Sequence, residues 1–134
     1  MITVSKKSYA TIYWNEELKA VELWWEGEIS SEGWRQGLTE TLATVKQYKS
    51  SRLLIDDRKL RVVLPEDQQW AVQVLIPQFE GAGIRKLASI SPESVVAQMS
   101  INRMVRKVVA TESGTAFQML FFTTPEEGRA WLMQ

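Results

Sequence analysis

Apolar and polar side chains alternate early in the chain. Residues 8–14 carry Tyr9, Thr11, Ile12, Tyr13 and Trp14, and residues 18–29 carry Val21, Leu23, Trp25 and Ile29 between Glu22, Trp24, Glu26 and Glu28. A period of two predicts two strands, with the odd positions of the second on one apolar face. Asn15-Glu16 supplies turn residues. Only a loop of even length puts Ile12 and Trp14 on the same face as Val21, Leu23 and Trp25, so an antiparallel hairpin with a two- or four-residue loop is expected.

The period then changes. Trp34, Leu38, Leu42, Val45 and Tyr48 form one helical stripe over residues 31–49, with Ser30 or Ser31 as cap and Glu32 in the first turn. Arg52-Leu53-Leu54-Ile55-Asp56 predicts a short strand covered on both faces. After a loop, Pro65 suits the first position of a helix with Trp70, Val72, Val74, Leu75, Ile76 and Phe79 on its apolar arc. Pro77 should bend that helix without ending it, because the apolar pattern runs on to Phe79; Gly81 and Gly83 end it. Residues 84–90 read as a strand. Ser91-Pro92-Glu93 reads as the start of a helix carrying Val95, Met99, Val105, Val108 and Val109, with a break near Ser100. Residues 115–122 read as a strand with Phe117, Met119 and Phe121 on one side. Thr124 and Glu127 form a capping box for a last helix through Trp131 and Leu132. The order β-β-α-β-α-β-α-β-α predicts an α/β fold over residues 1–134 as one domain, its mixed, mostly parallel sheet opening on the antiparallel hairpin.

Composition narrows the function classes. Sixteen Lys+Arg balance sixteen Asp+Glu, so the field that draws proteins to nucleic acid or to an anionic membrane surface is missing. There is no Cys and no His. That removes thiol nucleophiles, thiolate and imidazole metal ligands, and the commonest general base, so no cofactor or metal is expected. No apolar h-region follows Lys6-Lys7, and no apolar run approaches the roughly 18 residues of a membrane span, which makes the cytoplasm the default location.

The hairpin start, the strand ending Leu54-Ile55-Asp56-Asp57-Arg58, the helix from Trp70 to Phe79 and the tail Phe121-Phe122-Thr123-Thr124-Pro125-Glu126-Glu127-Gly128-Arg129-Ala130-Trp131-Leu132 together resemble a STAS-type domain, the fold of bacterial anti-sigma-factor antagonists. The resemblance runs from about Tyr9 to Leu132 and implies a bacterial, non-enzymatic module that acts through a partner or a bound ligand. Where the family tail usually has Ala, this chain has Gly128. In the antagonists a switch Ser follows an Asp just after the central strand. If Asp56 matches that Asp, the switch position holds Asp57. No Ser or Thr lies between Arg52 and Ala88, so phosphorylation of a switch hydroxyl there is excluded.

Two groups of residues invite a functional reading. Asp56-Asp57-Arg58 lies at the carboxyl end of the central strand, where open α/β sheets bind ligands. Lys59 and Arg61 add charge. The plainer reading is an Asp56 carboxylate that accepts from loop N–H groups or from Arg58, with Asp57 pointing to the other face and to solvent. Trp24 and Tyr13 form the second group. Trp24 falls opposite Trp25, either covered within the monomer or part of an interface. Trp25, Trp34, Trp70 and Trp131 read as core, with Trp14 less settled. Arg103, Arg106 and Lys107 read as a solvated helix face, and the doublets Glu66-Asp67 and Glu126-Glu127 as first-turn charges. The leading expectation is a binding module that uses a protein partner or its own dimer. The alternative is a carrier or sensor of a small apolar ligand such as a lipid, since STAS folds are similar to lipid-carrying CRAL-TRIO domains and the chain is rich in Trp and Met.

Overall fold

The computed structural model describes residues 1–109 and 117–134. A single six-stranded sheet runs β1 (Ile2–Lys6), β2 (Ala10–Asn15), β3 (Ala20–Trp25), β4 (Arg52–Asp56), β5 (Lys86–Ile90) and β6 (Gln118–Phe122), in that spatial order. The β1–β2 and β2–β3 pairs are antiparallel, and the pairs from β3 to β6 are parallel. The α/β class, the hairpin and the alternating helices follow the sequence pattern. Helix α1 (Ser31–Tyr48) joins β3 to β4. Helices α2 (Pro65–Trp70) and α3 (Ile76–Gly81) lie between β4 and β5, α4 (Val95–Val109) lies between β5 and β6, and α5 (Pro125–Leu132) closes the chain.

Several elements depart from the expected ones. Strand β1 carried no alternating signal, because as an edge strand it leaves Ile2 exposed and Val4 only partly covered. The β2–β3 loop is Glu16–Lys19, of the expected even length, and Ile12, Trp14, Val21, Leu23 and Trp25 share one buried face. Strand β3 stops at Trp25, four residues short of Ile29. Gly27 there adopts φ 65° with its α-carbon so close to the Ser8 carbonyl that a Cβ would sit 2.8 Å from that oxygen. Helix α4 starts at Val95, with Ser94 Oγ accepting from Ala97 N at 3.3 Å, and not at Pro92. It passes through Ser100 unbroken: the hydroxyl donates back to Val96 O within the helix and to Val63 O beyond it. The packed face of α4 is Ala97 and Ile101, followed by Met104 and Val105. Val95 and Met99, expected inside, are exposed, and the side chains of Val108 and Val109 and the first residues of the expected 115–122 strand lie outside the described residues.

Pro77 is accommodated by a widened turn. Between α2 and α3 the helix runs as a π-helical turn, Ala71–Leu75, with Ile76 N–H bonded to Ala71 O five residues back. A proline offers no N–H and its ring crowds the carbonyl four residues earlier, and one wider turn relieves that conflict while the helix continues to Gly81. Only Ala71, Leu75 and Phe79 are buried along this segment, so its apolar arc is narrower than expected, with Val74 exposed. Asp67, expected as a first-turn charge alone, is also buried and accepts from Arg35 Nε at 2.6 Å, which ties α2 to α1.

The two faces of the sheet differ. The larger core, with Ile12, Leu23, Leu53, Leu87 and Phe79, lies under α1, α2, α3 and α4. Among the described residues helix α5 covers part of the other face, packing Leu132 on Ala20, Leu54, Ala88 and Ile90. Trp14, Trp25 and Trp34 are buried, whereas Trp24, Trp70 and Trp131 are only half covered.

Gly37 of α1 sets the distance between that helix and the sheet. A Cβ there would lie 2.7 Å and 2.8 Å from two carbons of the Trp25 ring. Gly37→Ala should therefore destabilise by about 1–3 kcal/mol although Ala is the better helix former. Gly81→Ala meets nothing within 4 Å and should stabilise by about 0.5–1 kcal/mol. Chemical denaturation of both variants checks the opposite signs.

Candidate functional site: two carboxylates on opposite faces

Strand β4 places its last residues by parity. Leu53 and Ile55 enter the larger core, and Leu54 enters the α5 side. Asp56 therefore joins the α5 side, and Asp57, one residue on, turns to the other. Asp56 is paired laterally with Trp24 and Ile90. Its carboxylate is buried and accepts from the Arg58 backbone N at 3.1 Å, from Arg58 Nε at 3.0 Å and from Arg58 Nη2 at 2.6 Å. The Arg58 pairing and the turn N–H bond are those the sequence suggested.

Around this pair the α5 side assembles the other candidate residues. Two guanidinium groups lie near the Trp24 ring, Arg58 at 5.6 Å and Arg129 at 5.7 Å from its centre, and Tyr13 meets it edge-on at 6.3 Å. Beneath it Glu22 is fully buried. Arg129 Nε and Nη2 donate to its two oxygens at 3.0 and 2.9 Å, and Asn15 Nδ2 and Trp24 Nε1 donate at 3.0 Å each. Burial alone would raise the Glu22 pKa; the donors Arg129, Asn15 and Trp24 outweigh it and hold the carboxyl below its ordinary value. Sequence reasoning read Glu22 as an ordinary polar position. The available signal was that the even positions of β3 also carry Trp24, which marks a face that is not simply solvated.

Asp57 corrects the expectation most sharply. It does point to the opposite face, but that face is covered, and the side chain is 5% exposed. The backbone N–H donates to Ile90 O at 3.0 Å, which carries the chain one residue past β4 along β5. The carboxyl lies among apolar side chains and accepts from Ser89 Oγ at 3.2 Å. Burial pushes its pKa up to about 7, the Ser89 bond lowers it, and neighbouring Asp56 adds to the rise. The Trp25 indole N–H lies on the same side and opposes the rise, but it completes no hydrogen bond of normal geometry and is a buried donor without a partner among the described residues.

Asp57, Ser89 and Trp25 are among the residues that line a cavity of about 80 Å³. The sheet contributes Trp25, Ile55, Asp57, Leu87, Ser89, Met119 and Phe121. Above them stand Trp34 and Leu38 of α1, Ala71, Val72 and Leu75 of the π-helical turn, Ile76 and Phe79 of α3, and Ile101, Met104 and Val105 of α4. The wall is apolar except at Asp57 and Ser89. Sequence reasoning missed Ser89 and treated Trp25 as core alone, because the order of neighbouring strands, which sets Ser89 beside Asp57, is a tertiary fact.

No family model, curated protein or solved structure matches the chain. Among the described residues no group of three acidic side chains is placed to hold a metal ion, and no helix is long and apolar enough to cross a membrane.

The two carboxylates should respond oppositely to neutralisation. Asp56→Asn weakens the Arg58 pairing and should cost about 1–3 kcal/mol at neutral pH. Asp57 has a folded pKa above its unfolded value. Its contribution is therefore complete below about pH 4 and is lost as pH rises toward and through about 7. Asp57→Asn should abolish that loss, so that at pH 8 the variant is more stable than the parent by about 1–3 kcal/mol. Denaturation curves between pH 4 and pH 8 measure both. Equal stability changes with pH in parent and Asp57→Asn would contradict the assignment.

Proposed function

We propose that this protein is a non-enzymatic binding module that takes a small apolar ligand into the cavity between the sheet and α1, the π-helical turn, α3 and α4. The observation that carries the reading is an apolar cavity in which Asp57 and Ser89, joined by a hydrogen bond, are the only polar residues of the wall among the described residues. Binding sites of this kind combine a mainly apolar wall with a few polar groups that fix orientation. The π-helical turn supports the same reading, since such turns are frequent at functional sites and this one supplies Ala71, Val72 and Leu75 to the wall. The STAS-like resemblance agrees with a module that works by binding.

A second reading, a protein partner or a homodimer, rests on the opposite face. Tyr13, Trp24, Arg58 and Arg129 are all partly exposed there, and Trp, Tyr and Arg are the residues most enriched at interface hot spots. Light scattering of the purified protein and of Trp24→Ala tests it. A strict monomer that recovers no partner from a lysate counts against it.

The cavity reading is checked by equilibrating the protein with xenon, an apolar probe small enough for a space of about 80 Å³, observed by NMR and by melting temperature. Xenon should bind and raise the melting temperature. Ala71→Leu, which fills the cavity from the π-helical turn, should weaken that binding at least ten-fold and leave the fold intact. Binding unaffected by Ala71→Leu would place the ligand elsewhere.

A further inference from the structure

We propose that two copies of this chain join edge to edge through strand β6, paired antiparallel about Leu120, so that their two sheets become one. The inference needs neither the cavity nor the Trp24 surface.

The two edges of the sheet are built differently. Strand β1 ends on Lys6, is followed by Lys7, and breaks register with β2 between Thr3 and Ser5. Charge and a bulge are the devices that keep an edge from pairing further. Strand β6 has neither. It reads Gln118-Met119-Leu120-Phe121-Phe122, without charge or proline, and keeps regular register with β5. Leu120 is 46% exposed and Phe121 37%, and as neighbours they show apolar surface on both faces of the edge. Helix α4 borders the same edge. Ser100 ties one side of that helix to Val63 O, while Gln98 and Asn102 share a groove with Phe121. The exposed Val95 lies seven residues before Asn102, on the same side of the helix.

Backbone parity selects the occupant and its register. The Gln118 N–H donates to Arg85 O, and the Ser91 N–H donates to Phe122 O, each at 2.9 Å. Backbone groups alternate between the two sides of a strand, so Gln118, Leu120 and Phe122 address β5. The N–H and C=O of Met119 and Phe121 point outward, and β6 has no neighbouring strand there among the described residues. A second β6, antiparallel about a two-fold axis at Leu120, sets each Met119 against the partner's Phe121. Each such pair exchanges both N–H···O bonds, and this register overlaps the whole strand. The two Leu120 side chains meet at the axis in the more closely spaced kind of pair, and each Met119 sulfur lies beside an aromatic ring. No like charges are opposed. Symmetry makes the edge its own complement, and the pairing consumes it, so assembly closes at two copies with the bulged β1 edges outside. So short an edge buries less surface than an obligate interface, so the dimer should dissociate on dilution.

The test combines sedimentation velocity with amide exchange read residue by residue by NMR. Concentrated protein should sediment as two chains. Dilution should speed exchange of the Met119 and Phe121 amides by about ten-fold or more, and affect far less that of Leu120, whose N–H faces β5 in either state. Leu120→Lys and Leu120→Glu each place like charges at the axis and should be monomers; mixed together they should pair as a heterodimer. Recovered pairing also shows that both variants fold, and the exchange pattern of the parent protein does not depend on any variant. Trp24→Ala should dimerise as the parent does. The proposal is overturned by a parent that stays monomeric at every concentration, by either Leu120 variant dimerising alone, by a mixture that stays monomeric, or by assemblies that grow beyond two chains. Dissociation by Trp24→Ala in place of the Leu120 variants would overturn it in favour of the Trp24 surface.

Discussion

The rest of the structure depends on the burial of strand β4 on both faces. Leu53 and Ile55 enter the larger core, and Leu54 packs under α5. A strand enclosed in this way has no solvent side on which to place a charge. Its two terminal carboxylates must each be answered inside the protein. Because side chains alternate along a strand, consecutive residues meet different environments. Asp56 finds a guanidinium. Asp57 finds one hydroxyl and an apolar wall. The same functional group is thus a structural ion pair on one face and a group of raised pKa on the other.

The α5 face shows how a single short helix can cover part of a sheet with few apolar contacts. Leu132 fills the gap over β4 and β5, and the remainder is managed by charge. Glu22 is enclosed, and four donors from Asn15, Trp24 and Arg129 satisfy it. Such a network is costly to break because removing one partner strands the other in a medium of low polarity. Trp24 shares in it twice, as a donor to Glu22 and as the surface on which Arg58 and Arg129 rest. The close seat of α5 also accounts for Gly128, whose Cβ would lie 3.0 Å from Ile90 and 3.3 Å from Ala88.

On the other face the space is set by backbone choices. Gly37 lets α1 approach the Trp25 ring, and the widened turn before Pro77 shapes the wall that faces it. The Thr124–Glu127 box and the Ser30 cap fix where α5 and α1 begin. The cavity is what remains when these fixed elements meet over β4 and β5.

The sequence by itself determined the local structure. Alternation gave the hairpin faces, the i, i+4 stripe gave the buried side of α1, and capping residues gave most helix starts; the Asp56–Arg58 pair was legible because its members lie two residues apart. Edge strand β1 was not legible, since an exposed edge carries no apolar alternation. The inward face of α4 was misread because Val95 and Met99 are apolar yet lie on the side turned away from Ala97 and Ile101, a choice made by which face of the helix meets the rest of the protein. Only the tertiary structure decided the environment of Asp57. Parity showed that it points away from Asp56, but whether that direction meets water or protein depends on helices packed from distant parts of the chain. Glu22 and Arg129, 107 residues apart, meet for the same reason. Burial is a property of the assembled layers, and a carboxylate takes its chemistry from what surrounds it.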